Sequence, residues 1–311
     1  MILGRKMIVL YAPRAARRPQ LPMSAPTPEP QPARRSSLAW QSKAVLLAFV
    51  PLVGTWVCLR VGVEWPGLLF WQTALISIAF TLFVLALRAA TAGAAITGGI
   101  FTAALYLAAP GLRTALWPLL ALLLLTFAAT RFGRRRKEAL GLAEARHGRT
   151  ASQVAANLGV AALIGIPEVT MRLFNLAPDD YGRLALAAML AAMAEATADT
   201  VSSELGQVLG GQPRLITTFR RVPPGTDGGI TIVGTLLGCL GAAIVVAVGA
   251  LVLALPHLDA GIALAAGISG LFIDSVLGAG PERYGWLNND AVNTLSTLAA
   301  ALIAGFAIRA F

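Results

Sequence analysis

From Ala44 onward the chain returns nine times to an apolar stretch of helical length, at residues 44–63, 67–88, 92–109, 114–132, 152–170, 184–203, 229–255, 260–279 and 290–310. A hydrocarbon core is crossed by a helix of about 20 apolar residues. Inside lipid every backbone N–H and C=O must be satisfied internally, which leaves only helices and closed barrels. The alternating segments of about 10 residues that mark a barrel are missing. The expected fold is therefore all-α, a polytopic integral membrane protein with about nine transmembrane helices. Composition agrees: 57% of residues are hydrophobic, only 13% are charged, and the mean hydropathy is +0.71. A soluble domain carries about a quarter charged residues. The fifth stretch, with Gln153 and Asn157, is the least apolar.

The net charge of +10 raises the question of nucleic acid, but its 25 basic residues are not scattered over a surface. Arg5, Lys6, Arg14, Arg17, Arg18, Arg34, Arg35 and Lys43 precede the first stretch, and Arg131, Arg134, Arg135, Arg136, Lys137, Arg146 and Arg149 follow the fourth. Basic residues beside spans orient helices, with the rich side cytoplasmic. Four spans after a cytoplasmic N-terminus return the chain to the cytoplasm, so the two blocks agree. No base-reading module accompanies the charge, and nucleic acid is not an expected partner. The divisions expected are a disordered basic cytoplasmic tail at 1–37, an N-terminal four-helix membrane region at 38–132, a basic cytoplasmic loop at 133–149, and a C-terminal membrane catalytic core at 150–311. The implied address is the bacterial plasma (inner) membrane, with membrane lipids as surroundings. Cys58 and Cys239 lie within apolar runs and read as small core residues rather than a disulfide or zinc pair. His147 and His257 are isolated and read as a solvated loop residue and an interface residue.

Counting spans places one set of polar residues at the cytoplasmic face. Thr217-Thr218-Phe219-Arg220-Arg221-Val222-Pro223-Pro224-Gly225-Thr226-Asp227-Gly228-Gly229 sets two arginines, a turn and a carboxylate between apolar helices. Pro223, Pro224 and Gly225 bend the chain, and Gly228-Gly229 are expected to open the next helix with free amides, where an anion is favoured. The helix holding Asp199 ends on Ser202, Ser203 and Glu204, with Glu195 one turn earlier. Carboxylates near a membrane boundary are costly unless hydrated or paired, so they mark a polar cavity. A solvated helix end is the alternative for Glu204. Asp274 is the lone charge between Ala260 and Gly280, on a face with Gly267 and Gly270 that admits close approach. Asn289 reads as an N-cap, while Asp290, Asn293, Thr294 and Thr297 form a polar ridge expected to line a wet interior. Thr150, Gln153 and Asn157 form a shorter ridge of the same kind. Asp199-Thr200-Val201 and Asp274-Ser275-Val276 each close a helix running the same way, as in a parallel repeat. Gly234 and Gly238 read as a small-residue helix contact.

Five ordered motifs carry a resemblance. They are Gly148-Arg149-Thr150 with Gln153-Val154 and Asn157, Asp199-Thr200 with Ser203-Glu204, Thr217-Thr218-Phe219 with Val222-Pro223 and Gly225-Thr226-Asp227-Gly228-Gly229, Asp274-Ser275 with Leu277-Gly278-Ala279, and Asn288-Asn289-Asp290-Ala291-Val292-Asn293. Over residues 147–305 the chain resembles the transmembrane protein 19 family of integral membrane proteins, which includes the plant phytyl-phosphate kinases. The resemblance implies a membrane kinase that moves a phosphoryl group from a nucleoside triphosphate, CTP or ATP with CTP favoured, to an isoprenyl or phytyl monophosphate. Expected catalytic residues are Asp199, Asp227, Asp274 and Asp290. Mg²⁺ would be held by some of Asp199, Glu204, Asp227, Asp274 and Asp290. Phosphates would be bound by Arg149, Arg220, Arg221, Thr226, Gly228, Gly229, Asn289 and Asn293. Two other readings stay open: a transporter or flippase of an anionic substrate, and a cytidylyltransferase acting on a lipid phosphate.

Overall fold

The computed structural model of the chain describes residues 38–143 and 148–310. The tail read over 1–37, together with Arg146 and His147, lies outside the described residues.

Each apolar stretch forms helix. In chain order these are α1 (Ala39–Val63), α2 (Leu68–Ala86), α3 (Ala92–Ala108), α4 (Leu116–Arg131), the short α5 (Arg134–Ala139) inside the basic loop, α6 (Ala151–Ile164), α7 (Pro167–Phe174), α8 (Tyr181–Leu209), α9 (Ile232–Leu253), α10 (His257–Leu277) and α11 (Asn289–Ala310). A hairpin of two-residue strands, β1 (Arg214–Leu215) antiparallel to β2 (Gly229–Ile230), joins α8 to α9.

Among the described residues six helices are long and apolar enough to cross a bilayer, or seven counting the bent pair α6–α7 as one span. The full nine expected are not reached. With 17 and 16 residues, α3 and α4 fall short, since at 1.5 Å per residue each reaches only ~25 Å. The fifth stretch breaks instead of running straight through 152–170: α6 and α7 meet at 78°. The cause is local. Pro167 removes an amide and pushes Ile166 into an extended conformation (φ −89°, ψ 112°). The Thr170 hydroxyl donates to the freed Ile164 carbonyl at 2.7 Å.

Successive apolar helices nonetheless alternate in direction, so the bundle has two distinct ends. At one end the start of α1 meets the loop before α11, where Gln41 Nε2 donates to Trp286 O at 2.8 Å and Gln41 Oε1 accepts from Asn288 N at 2.8 Å. At the same end Arg131 reaches Leu87, Lys137 reaches Glu204, and Arg149 reaches Thr200. At the other end Trp56 donates to Glu168, Tyr181 to Gly165, Arg183 to Asp259, and Arg309 to the Phe174 carbonyl.

The centre of the bundle is α8, packed against α4, α6, α9, α10 and α11. It is alanine-rich, and Ala187, Ala188, Ala191, Ala192 and Ala194 are fully buried. Lipid supplies no hydrophobic drive for helix association, so close packing of small residues does this work. The expected glycine contacts appear here. A Cβ on Gly238 of α9 would stand 2.6 Å from Ala198 O, and one on Gly267 of α10 would stand 2.8 Å from Ala194 Cβ.

Candidate functional site

Where α8 and α10 finish at the first end, Asp199 and Asp274 open onto one cavity of about 260 Å³. Its other walls are the 213–231 connection and Asn289 at the start of α11. Ser202, Ser203, Ser275, Thr226, Asp227, Gly228 and Gly229 all line it, so residues up to 90 positions apart share one space. Packing between glycines holds this shape. Gly228 takes φ 71°, and a Cβ there would collide with the Ala279 backbone. Just beyond α10, Pro281 lies in a π-helical turn, Gly278–Glu282, which turns the chain over the cavity.

Below the cavity the polar residues continue into the bundle. The Ser296 hydroxyl donates to Asp274 Oδ2 at 3.1 Å. Glu195, one turn below Asp199, is 1% exposed, and its Oε1 has no hydrogen-bond partner among the described residues. Gln207 Oε1, on the cavity wall, is likewise buried and unpartnered. An orphaned acceptor is costly in a closed interior, so an atom of this kind on a cavity wall marks a place for a donor. Gln207 and Glu282 are wall residues that the sequence did not flag. Both lack a motif, and their signal is purely spatial.

Several expected residues sit elsewhere. Glu204 turns away from the cavity into an ion pair with Lys137 at 2.5 Å; Lys137 is 1% exposed and also donates to the Ala129 and Thr130 carbonyls at 3.0 and 2.8 Å. This pairing supplies the charge that the alternative of a solvated end lacked. Arg220 and Arg221 are exposed on the hairpin tip and do not line the cavity. Asp290 is buried in the first turn of α11 and is not on the wall.

Two local readings are corrected. The N-cap of α11 is Asn288, whose Oδ1 accepts from Ala291 N at 2.9 Å, which leaves Asn289 to face the cavity. Gly228-Gly229 do not open a helix: Gly229 N donates to Thr226 O at 2.9 Å, and α9 begins at Ile232, where Thr231 caps Gly234 N at 3.0 Å. The reason is the hairpin, which takes up three residues before the helix can start.

The two polar ridges touch at Asn157 and Asn293, while Thr150 and Gln153 form the capping box of α6. Asn293 Nδ2 donates to Asn157 Oδ1 at 2.9 Å in a buried contact, and the Thr294 and Thr297 hydroxyls donate back to Asp290 O and Asn293 O at 2.8 Å each. The Asn293, Thr294 and Thr297 donors are thus satisfied within the bundle. Arg149 lies at the head of α6, and its Nη2 donates to Thr200 Oγ1 at 3.2 Å, next to Asp199. Its backbone pairs with the α2–α3 connection, through Arg149 N to Ala89 O and Thr91 N to Arg149 O, both 3.0 Å. Cys58 is exposed rather than in the core, and Cys239 is half-buried; both are free thiols.

Among the described residues no three His, Cys, Asp or Glu side chains gather tightly enough to form a metal cage. The cavity wall still suits Mg²⁺, which is usually held by one or two carboxylates plus substrate phosphates and water. Asp199, Asp227, Asp274 and Glu282 are the carboxylates on that wall.

Residues 75–301 match the family model described as integral membrane protein DUF92. The chain is 47% identical over 122 residues to an uncharacterized membrane protein of Methanocaldococcus jannaschii, an alignment covering 38% of this chain and 50% of that protein. It is 29% identical over 180 residues to Protein VTE6, chloroplastic, of Arabidopsis thaliana, covering 57% of this chain and 53% of that one. An uncharacterized membrane protein of Synechocystis is 32% identical over 189 residues, with 57% of this chain and 67% of that one covered. The chain thus spans about half the length of the first two of these relatives. No solved structure matches it.

Proposed function

The chain belongs to the integral membrane protein DUF92 family, and from that premise we propose that it is a membrane kinase of the transmembrane protein 19 type. It would transfer the γ-phosphoryl group of a nucleoside triphosphate, CTP in preference to ATP, to an isoprenyl or phytyl monophosphate. The observation that carries this reading is the convergence of Asp199, Asp227 and Asp274, from three separate elements, on one cavity at a membrane boundary. A purely structural bundle has no use for a group of carboxylates there, since each is costly to keep near hydrocarbon.

In the transfer, the bond between the γ-phosphorus and the β–γ bridging oxygen breaks, and the nucleoside diphosphate leaves with the electron pair. The new bond forms from an oxygen of the acceptor phosphate to the same phosphorus. That acceptor is already ionised, so no strong base is required, and catalysis reduces to positioning and charge neutralisation. Mg²⁺, held by some of Asp199, Asp227 and Asp274, would supply neutralisation of the donor phosphates. The chain itself supplies the rest. The Ser202 hydroxyl and the Asn289 amide offer donors on the wall, the Thr226 hydroxyl, which donates to Pro223 O at 2.7 Å, offers its lone pairs, and Gln207 Oε1 offers an acceptor for a sugar or base group. Arg149, beside Asp199, is suited to the acceptor phosphate.

The basic residues Arg131, Arg134, Arg135, Arg136, Lys137, Arg149, Arg214, Arg220 and Arg221 cluster at the cavity end, which supports a cytoplasmic site in a bacterial inner membrane. Nucleotide is found on that side.

The test is Asp227→Asn in nanodiscs, with labelled CTP or ATP and geranylgeranyl or phytyl monophosphate. Transfer should fall by about 100-fold or more, the scale of losing one preorganised electrostatic group, while insertion and monodispersity persist. Wild-type rates in that variant would remove the site assignment. Product analysis separates a lipid diphosphate from a cytidine-diphosphate lipid, and substrate uptake into liposomes without nucleotide would favour transport.

A further inference from the structure

Beside the acidic cavity lies a second, apolar one of about 100 Å³. It runs between α2 and α4, with α3, α6 and α8 behind it. Phe80 and Val84 of α2, Leu123 and Phe127 of α4, and Val154 of α6 form its walls. Its mouth, at the same end of the bundle as the acidic cavity, carries Arg88, Arg131, Arg134 and Arg149.

Orientation of the protein in the membrane does not explain this grouping. The positive-inside effect asks only for basic residues in the loop, and Arg135 and Arg136, exposed and off the cleft, already meet it. Arg131 instead turns back over the mouth. Its Nη2 donates to Leu87 O at 2.9 Å, across the gap from α4 to the end of α2, and its guanidinium lies 4.4 Å from the centre of the Phe127 ring. Arg88, at φ 51°, occupies a left-handed conformation just past α2 and reaches the same rim. Arg149 lines the cleft and donates to Thr200, the neighbour of Asp199 on α8.

We propose that the cleft between α2 and α4 is the binding site of a single-chain lipid monophosphate, with its chain between Phe80, Val84, Leu123 and Val154 and its phosphate on Arg88, Arg131, Arg134 and Arg149. Guanidinium groups recognise phosphate by paired charge-assisted hydrogen bonds. A volume of about 100 Å³ takes only the first part of a prenyl chain. The rest continues into the bilayer along the exposed flanks of α2 and α4, which present Leu82, Leu85 and Leu124. A cavity of this volume has no room for the second chain of a phospholipid. As the identity of the acceptor's binding site, the assignment rests on the kinase reading; as a lipid-phosphate site, it stands without that reading. Arg149, on the cleft wall, is the member of this group that reaches toward the carboxylates, through Thr200 beside Asp199.

The experiment uses the full chain in nanodiscs of zwitterionic lipid, without nucleotide. Binding of geranylgeranyl monophosphate is measured directly, and a diazirine-bearing prenyl monophosphate is cross-linked and mapped. Cross-links should fall on α2, α4 or α6, and Leu123→Trp, which fills the slot, should weaken binding by at least about tenfold. Arg131→Gln should do the same with unchanged thermal stability, and Arg131→Lys should recover part of the affinity. In turnover assays both loss variants should raise the KM for the lipid and leave that for the nucleotide unchanged. Cross-links elsewhere, an unchanged affinity in Leu123→Trp, or equal competition by phosphatidylglycerol or inorganic phosphate would each overturn the assignment. Binding at the cleft with no phosphoryl transfer would remove the kinase reading alone. Transfer with an unchanged lipid KM in Leu123→Trp would remove the cleft alone.

Discussion

Gly278 at the end of α10 lies backbone to backbone with Gly228 of the hairpin: a Cβ on Gly278 would stand 2.8 Å from Gly228 N. This contact fastens the loop carrying Asp227 onto the helix carrying Asp274. The shape of the acidic cavity depends on two missing side chains.

Gly228→Ala should therefore act on the site more than on the bundle. The left-handed backbone at φ 71° penalises alanine by roughly 1–2 kcal/mol, and the new methyl also pushes the loop off Ala279. Thermal unfolding in detergent should drop by a few degrees while transfer is largely lost. Full activity with normal stability would show that the loop need not touch α10.

Lys137 and Glu204 form a structural ion pair, and the two partners should respond unequally. Lys137→Met strands a mostly buried carboxylate and should cost about 3 kcal/mol. Glu204→Gln leaves the ammonium its two carbonyls and should cost less. Melting temperatures of both variants check the order. A loss of metal-dependent turnover in Glu204→Gln at unchanged stability would restore Glu204 as a ligand.

Asn293→Ala removes the partner of the buried Asn157 carboxamide. A stranded polar group of this kind costs about 1–3 kcal/mol, and adding Asn157→Ala should return part of that loss. Nucleotide KM should stay unchanged in both variants, since Asn293 packs between helices and not on the cavity wall. A raised KM would put Asn293 in contact with phosphate.

The alternating helix directions place Thr226 and Leu112 at opposite ends of the bundle. With Cys58 and Cys239 replaced by alanine, a membrane-impermeant thiol reagent applied to intact cells should modify Leu112→Cys and spare Thr226→Cys. The opposite pattern would turn the site outward, away from nucleotide.

The sequence by itself determined the class of fold and brought Asp199, Asp227 and Asp274 to one end of the bundle. Hydrocarbon admits only backbone that satisfies itself, so apolar runs of this length become helices whatever surrounds them. Asp199 and Asp274 were legible for the same reason, because charge near lipid stands out against an apolar background, and Asp227 through the turn-rich loop that holds it. Tertiary structure decided which polar residues are spent on packing. Glu204, Asn293 and Thr297 are polar residues in the same bundle's helices, but Lys137, Asn157 and nearby carbonyls satisfy them, and partners 67 or 136 positions away leave no periodic trace. The break at Pro167 and the cap at Asn288 depended on local geometry that hydropathy does not encode. Gln207, and the turn of Arg131 over the mouth of an apolar cleft, became visible only when helices distant in the chain were set side by side. Hydropathy records the solvent each residue prefers, whereas a site is made by the neighbours that folding brings to it.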